Sequence, residues 1–291
     1  MSILPTHDIN PNKLKQIAMV IGNGGLGDTI TYIGMVNYLA TKYRIVFVAC
    51  MKINYEQIKL FFNNNLIIPY PIDKNDDTTM RQFDVMMRSV DEYDVYAFGH
   101  YGCNYIDYDR YIKVKDNKII NIIRNYPISY YEDVNLPVEY ATKYYTVNYP
   151  KEILDIYDDL FKTYPKYVLI HQTGSNAHID VIKHNKIDIE KLPVIDINKN
   201  LYSKGHKYYD ICQKFINLRA VVYYTKLVEN ATSLYLIDSC IHAIALITDV
   251  SHASPRVCYQ REYRMKYGFD KFDYYLLVKD TPVKIKLPLE F

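Results

Sequence analysis

The 291-residue chain contains no tryptophan, only five cysteines and no CxxC pair. It also lacks any run of about eighteen consecutive apolar residues, so the sequence predicts no transmembrane segment. Scattered cysteines in an odd number are typical of reduced thiols in a cytosolic protein, and the missing CxxC pairs disfavour a cysteine zinc site. We therefore expect a cytoplasmic protein with no structural metal. The cysteines are Cys50, Cys103, Cys212, Cys240 and Cys258.

An excess of charge of one sign is absent as well. The formal net charge is +2, with 35 basic and 33 acidic residues, and the two signs are interspersed. The sequence thus predicts no basic surface for nucleic acid. Residues 1–16 contain prolines and no apolar segment of a secretory signal. The absence of a Walker loop and of HExxH, GxSxG and kinase signatures disfavours the enzyme classes that carry them.

Tyrosine, by contrast, occurs 32 times, and asparagine, lysine and isoleucine are also abundant. A+T-rich coding produces such a composition, and a viral source would place the protein in the cytoplasm of the host. Because aromatic faces can also stack on sugars or bases, individual tyrosines keep a functional alternative. Composition bias is the better explanation for most of them.

Short β-branched runs alternate with amphipathic segments along both halves of the chain. This alternation predicts βαβ units and parallel sheets that are covered by helices on both faces. Since the pattern restarts near residue 150, we predict an α/β protein of two Rossmann-like, doubly wound domains, 1–148 and 149–291, facing a cleft. A first strand leads into Gly22, and the further predicted strands lie at 44–50, 66–70, 93–100, 167–175, 192–197, 220–225 and 233–239, with possible closing strands at 256–263 and 273–280. The predicted helices lie at 53–64, 76–90, 152–164, 206–218 and 240–247.

The most informative segment is the glycine-rich turn GNGGLGD at 22–28, between the first strand and an apolar-periodic helix. Such a turn lets the backbone approach a ligand at a helix N-terminus. Gly22, Gly24 and Gly27 also fit the GxGxxG dinucleotide pattern. That pattern needs an acid about twenty residues further on, at the end of the second strand. The second strand ends instead at 49–52 with ACMK, which weakens the dinucleotide interpretation.

Asp28 follows the glycine turn and has two interpretations. As the N-cap of the following helix it would accept hydrogen bonds from free backbone amides and contribute about 1 kcal/mol. As a general base it would take a proton from an acceptor hydroxyl. The two roles are compatible.

Two loops of the second half follow predicted strands and carry polar groups. The first, His171 to Asn176, has hydroxyls, amides and a glycine that suit a phosphate or a sugar, although a plain βα turn uses similar residues. The second, Asp238 to His242, opens a small-residue helix. Ser239 could cap that helix, or the helix amides could receive a diphosphate.

Taken together, the GNGGLGDTI, IHQTGS and LIDSCIHAIAL segments resemble the corresponding parts of the heptosyltransferase-type glycosyltransferases of family 9. The resemblance extends to 130–147 and spans most of the chain in order, with the GLGD loop and the IDS helix as its specific parts. It implies a GT-B fold, an inverting transfer from a nucleotide-diphosphate sugar to a glycan or glycolipid hydroxyl, and no metal or further cofactor. It implies that the C-terminal domain holds the donor and the N-terminal domain the acceptor.

Residue roles follow from the resemblance by position. It implies that Asp28 is the catalytic base. The residues that it implies for the acceptor-side loop are Gly24, Gly25, Leu26 and Gly27. The residues that it implies for donor binding are Thr173, Gly174, Ser175, Lys183, Glu229, Asp238, Ser239, Cys240 and His242.

The chain also departs from the family pattern. Gly34 stands where a proline is usual, and His242 follows the Asp-Ser pair one residue earlier than the family histidine. Lys183 is the candidate replacement for a Lys-Trp segment that this chain lacks. Two other hypotheses stay open: an NAD(P)-dependent oxidoreductase built on the first glycine turn, and a non-catalytic nucleotide- or sugar-binding protein on the same fold.

Overall fold

The structure is a computed structural model in which the chain forms two compact units. Unit 1 comprises residues 1–111 and 128–146, and unit 2 comprises residues 112–127 and 147–291. The helix predicted at 76–90 lies outside the described residues. The described residues are 15–22, 25–62, 64–72, 93–99, 112–115, 118–122, 127–174, 177–260, 271–278 and 281–284.

Unit 1 is built on a four-stranded parallel sheet in the order β3-β2-β1-β4. These strands form at the apolar runs from which the sequence predicts strands. Each run is rich in β-branched residues, which pack well on a pleated surface. The strands are β1 (Lys15–Ile21), β2 (Tyr43–Met51), β3 (Ile67–Ile72) and β4 (Tyr93–Ala97). The helices are α1 (Leu26–Thr31), α2 (Ile33–Leu39), α3 (Tyr55–Lys59), α4 (Ile128–Asp133) and α5 (Tyr140–Lys143), and a 3-10 turn at Lys52–Asn54 precedes α3.

Strand β1 lies at the centre of this sheet and is buried on both faces. Ala18 and Val20 are fully buried on one face, and Met19 and Ile21 are at most 4% exposed on the other. Burial on both faces explains why residues 18–21 are all apolar and do not alternate with polar residues. The glycine turn follows directly at the carboxyl edge of the sheet, where open α/β sheets bind their ligands.

Unit 2 contains a six-stranded sheet in the order β12-β11-β10-β9-β7-β8, parallel except for the antiparallel strand β12. A separate antiparallel pair is formed by β5 (Ile112–Lys115) and β6 (Lys118–Ile122). The sheet strands are β7 (Val168–His171), β8 (Val194–Asp196), β9 (Ser233–Ile237), β10 (Arg256–Gln260), β11 (Asp273–Val278) and β12 (Thr281–Lys284). The helices are α6 (Lys151–Thr163), α7 (Val181–Asn185), α8 (Tyr209–Gln213), α9 (Thr225–Glu229) and α10 (Cys240–Ile247).

Two local predictions in unit 2 need correction. The strand predicted at 220–225 is wrong: Val221–Tyr224 forms a 3-10 helix that runs into α9. All four of its residues are buried, and a short run that is apolar on every side cannot be told from a strand by its periodicity. The helix predicted at 206–218 is much shorter, because only Tyr209–Gln213 is α-helical.

The fold class is nevertheless confirmed, since each unit carries a parallel sheet with connecting helices. Within the described ranges, the longest helices are too short or too polar to cross a lipid bilayer.

Close packing of α5 on α2 depends on Gly34, which is buried in α2. A Cβ atom at this position would overlap the carbonyl oxygen of Tyr140 and lie 2.7 Å from that of Ala141. A glycine at the position of the family proline therefore lets the α5 backbone approach the helix.

We predict that Gly34→Ala lowers the free energy of unfolding by about 1–3 kcal/mol, the usual cost of overpacking. Urea denaturation measures this change. Because the obstacle is backbone, adding Ala141→Gly, which keeps the carbonyl, should not restore stability. An unchanged unfolding midpoint for Gly34→Ala would contradict the packing explanation.

Candidate functional site

The glycine turn of unit 1 begins against two aromatic rings. A Cβ atom at Gly22 would lie 2.8 Å from Cζ of Phe98 and 2.9 Å from Cε1 of Tyr32, so a larger residue would displace one of these rings. The two rings pack edge to face with their centroids 5.0 Å apart. Gly24, which was predicted to line the acceptor side, lies outside the described residues.

Helix α1 starts at Leu26, and Gly25 occupies the N-cap position. Gly27 and Asp28 therefore lie in the first helical turn, and the interpretation of Asp28 as the N-cap is wrong. The Gly25 carbonyl accepts hydrogen bonds from the backbone N–H of Thr29 at 3.0 Å and from its Oγ1 at 3.1 Å. A Cβ atom at Gly25 would overlap Oδ2 of Asp28, so the glycine leaves room for the carboxylate.

The carboxylate of Asp28 is partly buried and held from a distant part of the chain. Its Oδ1 accepts a hydrogen bond of 2.7 Å from the hydroxyl of Tyr130 in α4, 102 residues away in sequence. A position in the first helical turn also favours a negative charge, because the N-terminus of a helix carries a partial positive charge. This carboxylate is thus both oriented and electrostatically supported.

Tyr130 belongs to an aromatic cluster with Tyr32 and Phe98. Its ring centroid lies 5.1 Å from that of Phe98 and 6.4 Å from that of Tyr32. Burial raises the pKa of Tyr32 well above its usual value, and the Tyr32 hydroxyl lies 3.1 Å from Oγ1 of Thr29. Sequence reasoning missed Tyr130 because it is one of 32 tyrosines. Its only signal was its place in the 130–147 segment of the family resemblance.

In unit 2, the carboxyl ends of the neighbouring parallel strands β7 and β9 bring two predicted loops together. The Nδ1 atom of His171 lies 2.8 Å from Oγ of Ser239. The same Oγ accepts a hydrogen bond of 3.3 Å from the backbone N–H of Ile241, so Ser239 is the N-cap of α10. The cap interpretation of Ser239 is confirmed, and the start of α10 lies at the sheet edge where ligands bind.

The residues on either side of Ser239 differ in their access. Cys240 begins α10 and is partly exposed, and the side chain of Asp238 is 22% exposed. His242 is 1% exposed and packs edge to face against Phe272 and Tyr274, with centroid separations of 5.1 and 5.9 Å. Its Nδ1 lies 3.9 Å from Oδ1 of Asp238. The ring of His242 is therefore packed inside unit 2 beside the Asp238 carboxylate.

The loop after β7 is closed by short-range bonds. Oγ1 of Thr173 lies 3.0 Å from Nδ1 of His178, and the backbone N–H of Gly174 donates to the carbonyl of Ala177 at 2.8 Å. The side chain of Thr173 is exposed. Ser175 lies outside the described residues. The loop therefore presents the Thr173 side chain and the Gly174 backbone at the sheet edge.

A buried pair of polar side chains, Gln172 and Asp196, holds the start of this loop. Nε2 of Gln172 donates to Oδ2 of Asp196 at 2.8 Å, and its Oε1 accepts from the backbone N–H of Val181 at 3.0 Å. Both side chains are 2% exposed, and burial raises the pKa of Asp196. Sequence reasoning missed this pair, although an acid at the end of the second strand of unit 2 was a visible signal.

Lys183 and Glu229 lie on other elements of unit 2. The side chain of Lys183 is exposed on α7, and Glu229 is the last residue of α9. Burial raises the pKa of Glu229, the charge of Lys226 partly offsets this effect, and the charge of Asp249 adds to it. In the described part of the chain, neither side chain is hydrogen-bonded to Ser239. Nor do any three His, Cys, Asp or Glu side chains there lie close enough together to hold a metal ion.

Comparisons with known proteins rest on structure alone. No protein-family model and no curated protein matches the sequence significantly. The crystal structure of a glycosyl transferase family 9 protein from Veillonella parvula matches with a TM-score of 0.50 at 11% identity, over 91% of this chain and 87% of that one. The iron-containing dodecameric glycosyltransferase TibC of enterotoxigenic E. coli gives a TM-score of 0.42 at 13% identity, over 88% of this chain and 62% of that one.

At this level of identity, the match to the Veillonella parvula structure carries information on fold. The match covers 91% of this chain and therefore includes residues of both units. The matched protein belongs to the family that the GLGD loop and the IDS helix resemble in sequence. The family resemblance is confirmed in the architecture: the chain has the fold of a glycosyl transferase family 9 protein.

Proposed function

We propose that the protein is a glycosyltransferase that moves a sugar from a nucleotide-diphosphate donor to a hydroxyl of a glycan or glycolipid. The observation that carries the proposal is the Asp28 carboxylate, held by Tyr130 in the first turn of α1 at the carboxyl edge of the unit 1 sheet. A fixed, partly buried carboxylate at such an edge suits a general base. The family 9 fold supports the reaction type.

The proposed reaction is a single displacement with inversion. Asp28 takes the proton of the acceptor hydroxyl while the hydroxyl oxygen forms a bond to the anomeric carbon of the donor sugar. The bond from that carbon to the diphosphate oxygen breaks at the same time, and the nucleoside diphosphate leaves with the electron pair. A positioned base of this kind contributes roughly 10²–10⁴-fold in rate.

We assign donor binding to unit 2. The first amides of α10 face the carboxyl edge of the sheet and can stabilise the negative charge that develops on the departing diphosphate, without a metal. Ser239 caps that helix and offers its hydroxyl, while Thr173 and Gly174 present polar groups on the adjacent strand end. The negative charge of Asp238 suits a sugar or ribose hydroxyl better than a phosphate.

We predict that Asp28→Asn lowers kcat roughly 10²–10⁴-fold, because the amide cannot accept the proton. Folding and donor binding should persist, since an asparagine can still accept the Tyr130 hydrogen bond. Release of nucleoside diphosphate is measured with the UDP-, GDP- or ADP-sugar that stabilises the protein in a thermal-shift screen. That screen also includes NAD(P).

Asp158→Asn on the exposed face of α6 is the matched control and should leave turnover unchanged. Full activity of Asp28→Asn would contradict the role of the base. Stabilisation by a nucleotide sugar without turnover by the wild type would favour the non-catalytic binding protein, and stabilisation by NAD(P) alone the oxidoreductase.

We predict that Ser239→Ala weakens donor binding about tenfold, the equivalent of one lost hydrogen bond. Loss of the α10 cap should also lower the free energy of unfolding by about 1 kcal/mol. Isothermal titration with the donor and urea denaturation measure the two effects. Ser203→Ala, at an exposed loop serine, should change neither quantity. Donor affinity equal to the wild type would remove Ser239 from the donor site.

A further inference from the structure

The two oxygens of the Asp28 carboxylate have different surroundings in unit 1. Oδ1 accepts the hydroxyl of Tyr130 at 2.7 Å, and Oδ2 occupies the space that a Cβ atom at residue 25 would fill. The terminal torsion of an aspartate is broad and two-fold in the absence of such contacts. The Tyr130 hydrogen bond therefore favours one orientation of the carboxylate, and Gly25 leaves the space that this orientation needs.

The hydroxyl of Tyr130 has a fixed position because its ring has one. Tyr130 is 3% exposed and packs against Phe98 and Tyr32 at ring separations of 5.1 and 6.4 Å. A buried tyrosine needs a hydrogen-bond partner for its hydroxyl, and here the partner is the carboxylate. The ring is thus a rigid arm that holds one oxygen of Asp28.

The next residue provides an internal comparison. Tyr131 is fully buried, and its hydroxyl donates to the backbone carbonyl of Thr31 at 3.0 Å. The two adjacent tyrosines of α4 thus fasten this helix to α1 by hydrogen bonds of similar length. Only Tyr130 touches an ionisable side chain, whereas Tyr131 has a structural contact with the backbone.

We propose that Tyr130 is a positioning residue for the general base Asp28, so that its hydroxyl presents the carboxylate to the acceptor and favours its ionised form. The inference rests on the proposed function. A donor that bonds to the charged form of a carboxylate keeps that form populated at lower pH. Tyr32 also lies near Asp28, but its hydroxyl is 3.1 Å from Oγ1 of Thr29, whereas the hydroxyl of Tyr130 bonds directly to the carboxylate.

Tyr130→Phe tests the inference because it removes the hydroxyl and keeps the ring. The variant should lower kcat about tenfold, the rate equivalent of one hydrogen bond, while the KM for the donor stays unchanged. The acid limb of its pH–rate profile should move to higher pH. Tyr131→Phe is the matched control: it should lose stability but keep the wild-type pH profile.

A second readout needs no substrate. Carbon NMR of aspartate-labelled protein follows the titration of the Asp28 carboxyl group, whose signal is identified by its loss in Asp28→Asn. In Tyr130→Phe that titration should move to higher pH. A ring-fluorinated tyrosine at position 130, which keeps the fold and donates more strongly, should move it to lower pH.

An unchanged Asp28 titration in both variants would overturn the positioning role, as would an equal shift in Tyr131→Phe. These outcomes are separate from a failure of the proposed function. Full turnover by Asp28→Asn would reject the base while leaving the Tyr130 titration result standing. Loss of turnover in Asp28→Asn with a wild-type profile in Tyr130→Phe would reject only the inference.

Discussion

The hydrogen bond from Tyr130 to Asp28 is the contact on which the account of unit 1 depends. It joins the first turn of α1 to α4. Because of this bond, the Asp28 carboxylate has a defined orientation that an acid at a helix start does not have by itself. Packing supports it at both ends: Gly25 leaves space for the carboxylate, and the rings of Phe98 and Tyr32 pack against Tyr130. A carboxylate with this support is held in place before any ligand arrives, which is the condition for efficient proton transfer.

Unit 2 carries a different set of polar groups at the carboxyl edge of its parallel strands. A hydroxyl, a histidine ring, the Asp238 carboxylate and helix amides lie where β7 and β9 end beside the start of α10. The buried pair of Gln172 and Asp196 fixes the loop that follows β7. We propose that unit 1 supplies a proton acceptor and unit 2 an anion-stabilising helix start, the two chemical elements that a sugar transfer without a metal requires.

The sequence was sufficient for the features that are local. Apolar runs and polar strand ends predicted the parallel sheets, and Ser239 before a small-residue run predicted a capped helix that begins at the next residue. Prediction of secondary structure from the sequence failed at Val221–Tyr224, because a segment that is buried on all sides shows no periodic alternation of apolar and polar residues. It also could not pair Tyr130 with Asp28, because that contact spans 102 residues and depends on packing between helices. Propensity and spacing do not report such tertiary contacts.

The central claim is that Asp28 activates an acceptor for one direct displacement on a nucleotide sugar. The most direct test is the anomeric configuration of the product, read by NMR from a donor labelled with carbon-13 at the anomeric position. The account predicts a product of opposite configuration to the donor. Retention of configuration would contradict it, because retention requires two displacements or a front-side attack that does not use this base.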